Sequence, residues 1–206
     1  MIGLVDYGMG NRRSVEKAFE HVGAQVLVSS DPAALHDADG LVLPGVGAFP
    51  AAMERLRALG LDRFLVERAS AGVPLLGICL GMHLAFDRST ERGGASGLGI
   101  VPGAVRELVA GALKLPQIGW NEVRWEHSAP VLDGLARTPV YYHVHSFVAV
   151  PDEPADVLGT AEYGERFASV VARESFLGVQ FHPEKSSHDG LALLANWVSA
   201  CEGAAA

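Results

Sequence analysis

Cysteine is nearly absent: 206 residues hold only Cys79 and Cys201, which form neither a CxxC pair nor a disulfide framework. That usage suits a reducing cytoplasm. Basic residues are scarce too, with 16 Lys and Arg against 24 Asp and Glu and a formal net charge of −8. A protein that grips a phosphate backbone normally carries a basic face, so no nucleic-acid partner is expected. Long apolar runs are missing. The best uncharged stretch, Ser70 to Phe86, is broken by Gly72, Pro74, Gly77, Gly81 and His83 and falls short of the ~20 residues a spanning helix needs. No membrane span is expected. No Lys or Arg precedes Arg12, and Asp6 interrupts the first apolar run, which argues against a secretory signal. With no repeat, linker or low-complexity tract in view, residues 1–206 read as a single domain.

What is present suits a buried core, since 49% of residues are hydrophobic. The first half alternates short apolar runs with amphipathic segments. Ile2–Asp6, Gln25–Ser29, Leu41–Leu43 and Leu75–Ile78 read as strands. Between them, Val15, Ala18, Phe19 and Val22 recur at helical spacing, Asp31-Pro32 looks like a helix cap, and Pro50–Ala71 reads as helical with a break at Gly60. Such alternation implies an α/β fold with a mostly parallel sheet flanked by helices. The second half changes character. Ile100-Val101, Val105–Val109, Val123–Trp125, Val140–Val150, Val157–Ala161, Ala168–Arg173 and Leu177–Phe181 read as strands, several joined by hairpin-length turns, so antiparallel strands are added there. Gly190–Cys201 reads as a closing amphipathic helix.

The chemistry centres on Gly77-Ile78-Cys79-Leu80-Gly81, where a buried strand should turn sharply into a helix over Leu80–Asp87. This is the thiol version of the G-x-S-x-G nucleophile elbow, in which small flanking residues let the nucleophile sit in a strained turn. A helix N-terminus and a nearby His would activate such a thiol. His182 closes the strand Leu177–Phe181 and is followed by Pro183-Glu184. On an extended chain i and i+2 point the same way, so Glu184 can hold the imidazole of His182. Pro44-Gly45-Val46-Gly47 follows the third strand, where elbow hydrolases take an oxyanion-hole amide. The donors would be Leu80 together with Val46 or Gly47. Cys201 lies on an apolar helix stripe and is given no role. His143-Val144-His145 offers two same-face imidazoles without a third ligand, so no metal or other cofactor is expected.

Cys79, His182-Pro183-Glu184 and the glycine-rich strand end together resemble the triad-type (class I) glutamine amidotransferases. Asp6–Asn11, Pro44–Phe49, Gly77–Met82, Gly119–Glu122, Val144–Ser146 and Phe181–Ser187 resemble, within them, the glutaminase subunits of imidazole glycerol phosphate synthases. The resemblance implies a flavodoxin-like fold and hydrolysis of glutamine through a Cys79 thioester, with His182 shuttling protons and Glu184 orienting it. It further implies a (β/α)8-barrel synthase partner that uses the ammonia to make imidazole glycerol phosphate and an aminoimidazole carboxamide ribotide in histidine biosynthesis. By position, Gly45, His83, Glu91, Ser146 and Phe147 match substrate-binding residues, and Asn11, Trp120, Tyr142 and Lys185 match the partner face. Three positions depart from the family pattern: His83 stands for Gln, Phe147 for Tyr, and His143 where an aromatic is common. A stand-alone cysteine γ-glutamyl hydrolase and a catalytically idle regulatory subunit are the alternatives.

Overall fold

Strands and helices alternate through the first half of the computed structural model, which describes residues 1–204. They run β1 (Ile2–Val5), α1 (Arg12–His21), β2 (Val26–Ser29), α2 (Pro32–Leu35), β3 (Gly40–Leu43), α3 (Phe49–Ala58), α4 (Leu61–Ser70), β4 (Leu75–Ile78) and α5 (Leu80–Leu84). The second half is mainly strand: β5 (Phe86–Ser89), β6 (Ala95–Ser96), β7 (Val101–Glu107), β8 (Gln117–Glu122), β9 (Arg124–Trp125), β10 (Val140–His145), β11 (Phe147–Pro151), β12 (Val157–Tyr163), β13 (Glu165–Arg173) and β14 (Phe176–Val179). Helix α6 (Ser187–Ala204) closes the chain.

Strands β1, β3, β4 and β14 are buried at all four positions, as strands covered on both faces must be. They lie in the order β2-β1-β3-β4-β14, every neighbour parallel. This is the doubly wound 2-1-3-4-5 arrangement, with β14 as its fifth strand. Alternate residues feed two apolar layers. Leu4, Val42, Leu76 and Ile78 join Val15 and Phe19 of α1 and Leu194 and Trp197 of α6. Val5, Leu41, Leu43 and Leu75 join Met53, Leu56 and Leu65 of α3 and α4. The Asp31 carboxylate accepts from the Ala33 amide at 3.0 Å and Pro32 opens α2, as the sequence suggests. Beyond β14 the sheet continues antiparallel through β13, β11 and β7, while β8 and β10 pair apart from it.

Three expectations are corrected. The elbow helix ends at Leu84 and not at Asp87, because Phe86–Ser89 is drawn into the sheet, parallel to β7 and antiparallel to β6. Val140–Val150 is not one strand. It changes sheets at Ser146, with β10 bonded to β8 and β11 bonded to β7 and β13. Val101–Glu107 is one strand where two were expected, and Gln117–Glu122 is a strand that the sequence reading leaves unassigned.

In an open α/β sheet, ligands bind beyond the carboxyl ends of the parallel strands. Here that edge gathers residues 6–11 after β1, 44–47 after β3, Cys79 after β4 and 180–184 after β14.

Candidate active site

Cys79 caps α5 with φ 53° and ψ −108°, a conformation that costs a non-glycine residue about 1–3 kcal/mol. Its flanking glycines are there for space. A Cβ on Gly81 would lie 1.7 Å from the Leu43 carbonyl oxygen, and one on Gly77 would lie 2.8 Å from the Gly81 backbone. The tight packing of α5 against β3 and β4 therefore holds the strained turn, with the Cys79 side chain 7% exposed.

His182 follows β14, and its Nδ1 donates to Glu184 Oε1 at 2.9 Å. Its backbone amide donates to the Tyr142 carbonyl of β10 at 2.9 Å, which fixes the imidazole from a second element. Burial alone would lower the imidazole pKa, but hydrogen bonds to Cys79 and Glu184 outweigh it and push it up to about 10. His182 is therefore held as the imidazolium across neutral pH. Behind it, the fully covered Glu184 side chain also accepts from Asn11 Nδ2 at 3.2 Å on Oε1. Glu184 Oε2 is buried and has no partner among the described residues.

The glycine-rich segment after β3 lies beside the elbow. Buried Tyr7 donates its hydroxyl to the Pro44 carbonyl at 2.8 Å, and a Cβ on Gly45 would meet that hydroxyl at 2.4 Å. Gly47 sits at φ +107°, where only glycine is comfortable. Leu80 opens α5, where amides have no acceptor within the helix. A cavity of about 300 Å³ is lined by Val46, Gly47, Cys79, Leu80, His83, Glu91, Val144, His145, Ser146, Phe147, His182 and Lys185. That is the low end of ordinary small-ligand sites and fits an amino acid.

Most sequence-derived site residues thus converge. Gly45 lies beneath the cavity wall, and Glu184 stands behind His182. Glu91 accepts from the Phe49 amide at 2.8 Å, so one carboxylate oxygen is tied to the first turn of α3. Trp120 and Tyr142 lie outside the cavity as a cross-strand pair of β8 and β10, with ring centroids 5.9 Å apart and Trp120 55% exposed. Asn11, matched to the partner face, turns its side chain inward to the Glu184 carboxylate.

His83 lines the cavity, but its Nε2 is engaged with Gln180 Oε1 at 2.7 Å. Burial pushes its pKa down to about 4, so His83 brings no cation to Cys79 near neutrality. His143 is a core residue whose nitrogens bond the Tyr141 carbonyl and the Ser169 hydroxyl. Cys201 is fully buried, and burial raises its thiol to about 12, so it is inert. Three contributors escape the sequence reading. The Val144 carbonyl lies 3.8 Å from Cys79 Sγ, and Gln180 Nε2 lies 3.9 Å from it. His145 donates Nδ1–H to the Phe147 carbonyl and leaves a buried Nε2 with no partner among the described residues. Gln180 stands two residues before His182, so the i, i+2 rule that finds Glu184 finds it when read backwards.

A family model described as "Glutamine amidotransferase class-I" matches residues 3–201. The chain is similar to "Imidazole glycerol phosphate synthase subunit HisH" of Salinibacter ruber, 47% identical over 205 residues, covering 97% of this chain and 94% of that protein. A protein of the same name from Symbiobacterium thermophilum is 49% identical over 197 residues, covering 95% and 92%. Among solved structures, one described as "Crystal structure of glutamine amidotransferase" superposes with a TM-score of 0.77 at 18% identity, covering 98% of each chain. The acivicin-bound glutaminase domain of Trypanosoma brucei CTPS gives 0.70 at 18% identity, covering 98% and 93%. Those two likenesses concern the fold.

Proposed function

The chain belongs to the class-I glutamine amidotransferases, and from that premise we propose that it is the glutamine-hydrolysing subunit of an imidazole glycerol phosphate synthase. The observation that carries the reading is the strained Cys79 elbow at one cavity with His182, whose imidazole is anchored by Glu184 at 2.9 Å. Cys79 sulfur attacks the side-chain carbonyl carbon of glutamine as His182 holds the thiol proton. The oxyanion that forms is met by the Leu80 amide and by that of Val46 or Gly47, donors worth ~2.7–4 kcal/mol each at such a transition state. His182 passes its proton to the departing amine, the C–N bond breaks, and ammonia leaves a thioester on Cys79. Water, deprotonated by the now neutral His182, cleaves the thioester to glutamate and restores the thiol.

In this reading the Glu91 oxygen that does not bond Phe49 takes the α-ammonium of glutamine, and Ser146 and Phe147 supply the flanking wall, which their shared cavity with Cys79 supports. Ammonia is delivered to a (β/α)8-barrel synthase subunit docked over Trp120, Tyr142 and Lys185. The cytoplasm is the proposed location, in keeping with two free thiols. No helix among the described residues is long and apolar enough to cross a membrane.

The test is glutamate release from glutamine, measured with and without the synthase subunit and its nucleotide ligand. Cys79→Ala should abolish turnover while leaving the complex intact. Normal turnover by Cys79→Ala, or inactivity of Cys201→Ala in its place, would overturn the assignment.

A further inference from the structure

Resting on Cys79 as the nucleophile, we propose that Gln180 and His83 form a positioning pair that keeps an amide N–H on the Cys79 sulfur and favours its thiolate form. Gln180 is completely buried between the core residues Val179 and Phe181. An amide in such surroundings is costly unless both ends find partners. Both do: Oε1 lies 2.7 Å from His83 Nε2, and Nε2 lies 3.9 Å from Cys79 Sγ.

Neutral imidazole carries one N–H, and His83 is kept neutral near pH 7 by burial. With that hydrogen on Nε2, it donates to Gln180 Oε1 and so locks the amide with its NH2 towards the sulfur. The reversed amide would turn a carbonyl lone pair on Cys79. The choice matters because the sulfur already faces one acceptor, the Val144 carbonyl at 3.8 Å. A carbonyl there stabilises the protonated thiol and opposes the thiolate. The Gln180 amide supplies a countering donor without adding a titratable charge.

The other ionisable groups around the sulfur come from separate elements. His182 follows β14 and is the imidazolium. His145 comes from β10 and is held neutral, its pKa pushed down to about 3 by burial and by the neighbouring histidines. Tyr7 follows β1, its hydroxyl pushed up by burial and by Cys79. Glu91 and Lys185 line the same cavity. Among the uncharged side chains of the described residues, Gln180 is the one whose N–H reaches Sγ.

The experiment is the pH dependence of Cys79 alkylation by iodoacetamide in a Cys201→Ala background, with the labelled peptide identified by mass spectrometry. It needs no glutamine turnover, so it fails independently of the functional reading: absent glutaminase activity speaks against that reading, an unmoved midpoint against this pair. Loss of one hydrogen bond to a charged acceptor should raise the alkylation midpoint by about one pH unit or more in Gln180→Met. Gln180→Glu, similar in shape but presenting a carboxylate, should raise it further. His83→Met should raise it partway, and His83→Gln, whose amide still donates to Gln180, should restore it. That rescue is the readout a merely structural role would not produce. If Gln180→Met does not fold, the His83→Met and His83→Gln comparison decides alone. Unmoved midpoints in folded Gln180→Met or His83→Met would overturn the proposal, as would equal shifts in His83→Met and His83→Gln.

Discussion

Acidification from pH 7 to pH 5 should remove much of the folding stability, and three histidines set the size of the loss. His83 and His143 are held at about 4 and His145 at about 3, burial being the largest cause in each case. The unfolded chain titrates such groups near 6.5. Below that value the unfolded state takes up protons that the fold refuses, so stability falls with falling pH. At pH 5, about 1.5 pH units below the unfolded value, each histidine removes about 2 kcal/mol, or about 6 kcal/mol for the three. His182 has the opposite sign. Its folded value near 10 gives a contribution that is complete below 6.5 and lost as pH climbs towards 10, so it adds little against the acid loss. Glu126 and Glu165, whose pKa values are lowered by hydrogen bonds to Thr160 and Arg106 first of all, lose their contributions only below the carboxylate range. Against a typical total of ~5–15 kcal/mol, a loss of that size removes roughly 40% of the stability or more by pH 5. Urea titrations at pH 7, 6 and 5 measure this directly, and His145→Phe should cut the proton uptake on unfolding from about three to about two. A stability that changed by less than about 1 kcal/mol over that range would refute the assignment of three buried neutral imidazoles.

Glu184→Gln keeps an acceptor for His182 but removes its charge, so the alkaline limb of glutaminase activity should move down from near pH 10; an unmoved limb in the pH–rate profile would count against the His182–Glu184 pair. Asn11→Ala removes one of two donors on Glu184 Oε1, and kcat should fall about three- to tenfold for the ~0.5–1.5 kcal/mol of one hydrogen bond, with KM little changed in steady-state assays. Gly81→Ala places a methyl 1.7 Å from the Leu43 carbonyl, and the urea midpoint should report a loss of about 3 kcal/mol or more.

The parallel half of the fold is legible because its strands are short apolar runs set between amphipathic helical segments, β3 closing at Pro44 and β4 opening after Pro74, and the elbow because its glycines flank Cys79 symmetrically. Glu184 is legible by the two-residue repeat of extended chain. What escapes is non-local. Nothing along Val140–Val150 marks the change of sheet at Ser146, since every residue of the run suits a strand and pairing partners lie far off in sequence. Phe86–Ser89 is likewise claimed by β7, and one helical turn is given up to that pairing. Asn11 holds the N-cap position of α1, yet it makes no side-chain cap bond and turns to Glu184, 173 residues away. A carbonyl such as that of Val144 carries no side-chain signature at all.

Strand β10 joins the proposed docking face to the proposed triad. Its residues alternate, with Tyr141, His143 and His145 buried and Tyr142 and Val144 partly open. Tyr142 meets Trp120 on the outer side, while its own carbonyl takes the His182 amide and its amide donates to the Ser186 hydroxyl at 3.0 Å. That hydroxyl in turn donates to the His182 carbonyl at 2.6 Å. Two residues on, the Val144 carbonyl touches the Cys79 sulfur. Tyr142 of the proposed docking surface and the two carbonyls that meet His182 and Cys79 therefore lie within three residues of one strand. β10 pairs with β8 and not with the main sheet, and it meets the rest of the molecule through these bonds, the His143–Ser169 contact at 2.9 Å and the stacking of Tyr141 on Phe181, with centroids 3.8 Å apart. A subunit bound over Trp120 and Tyr142 would act on the nucleophile and its base through that strand without touching either one.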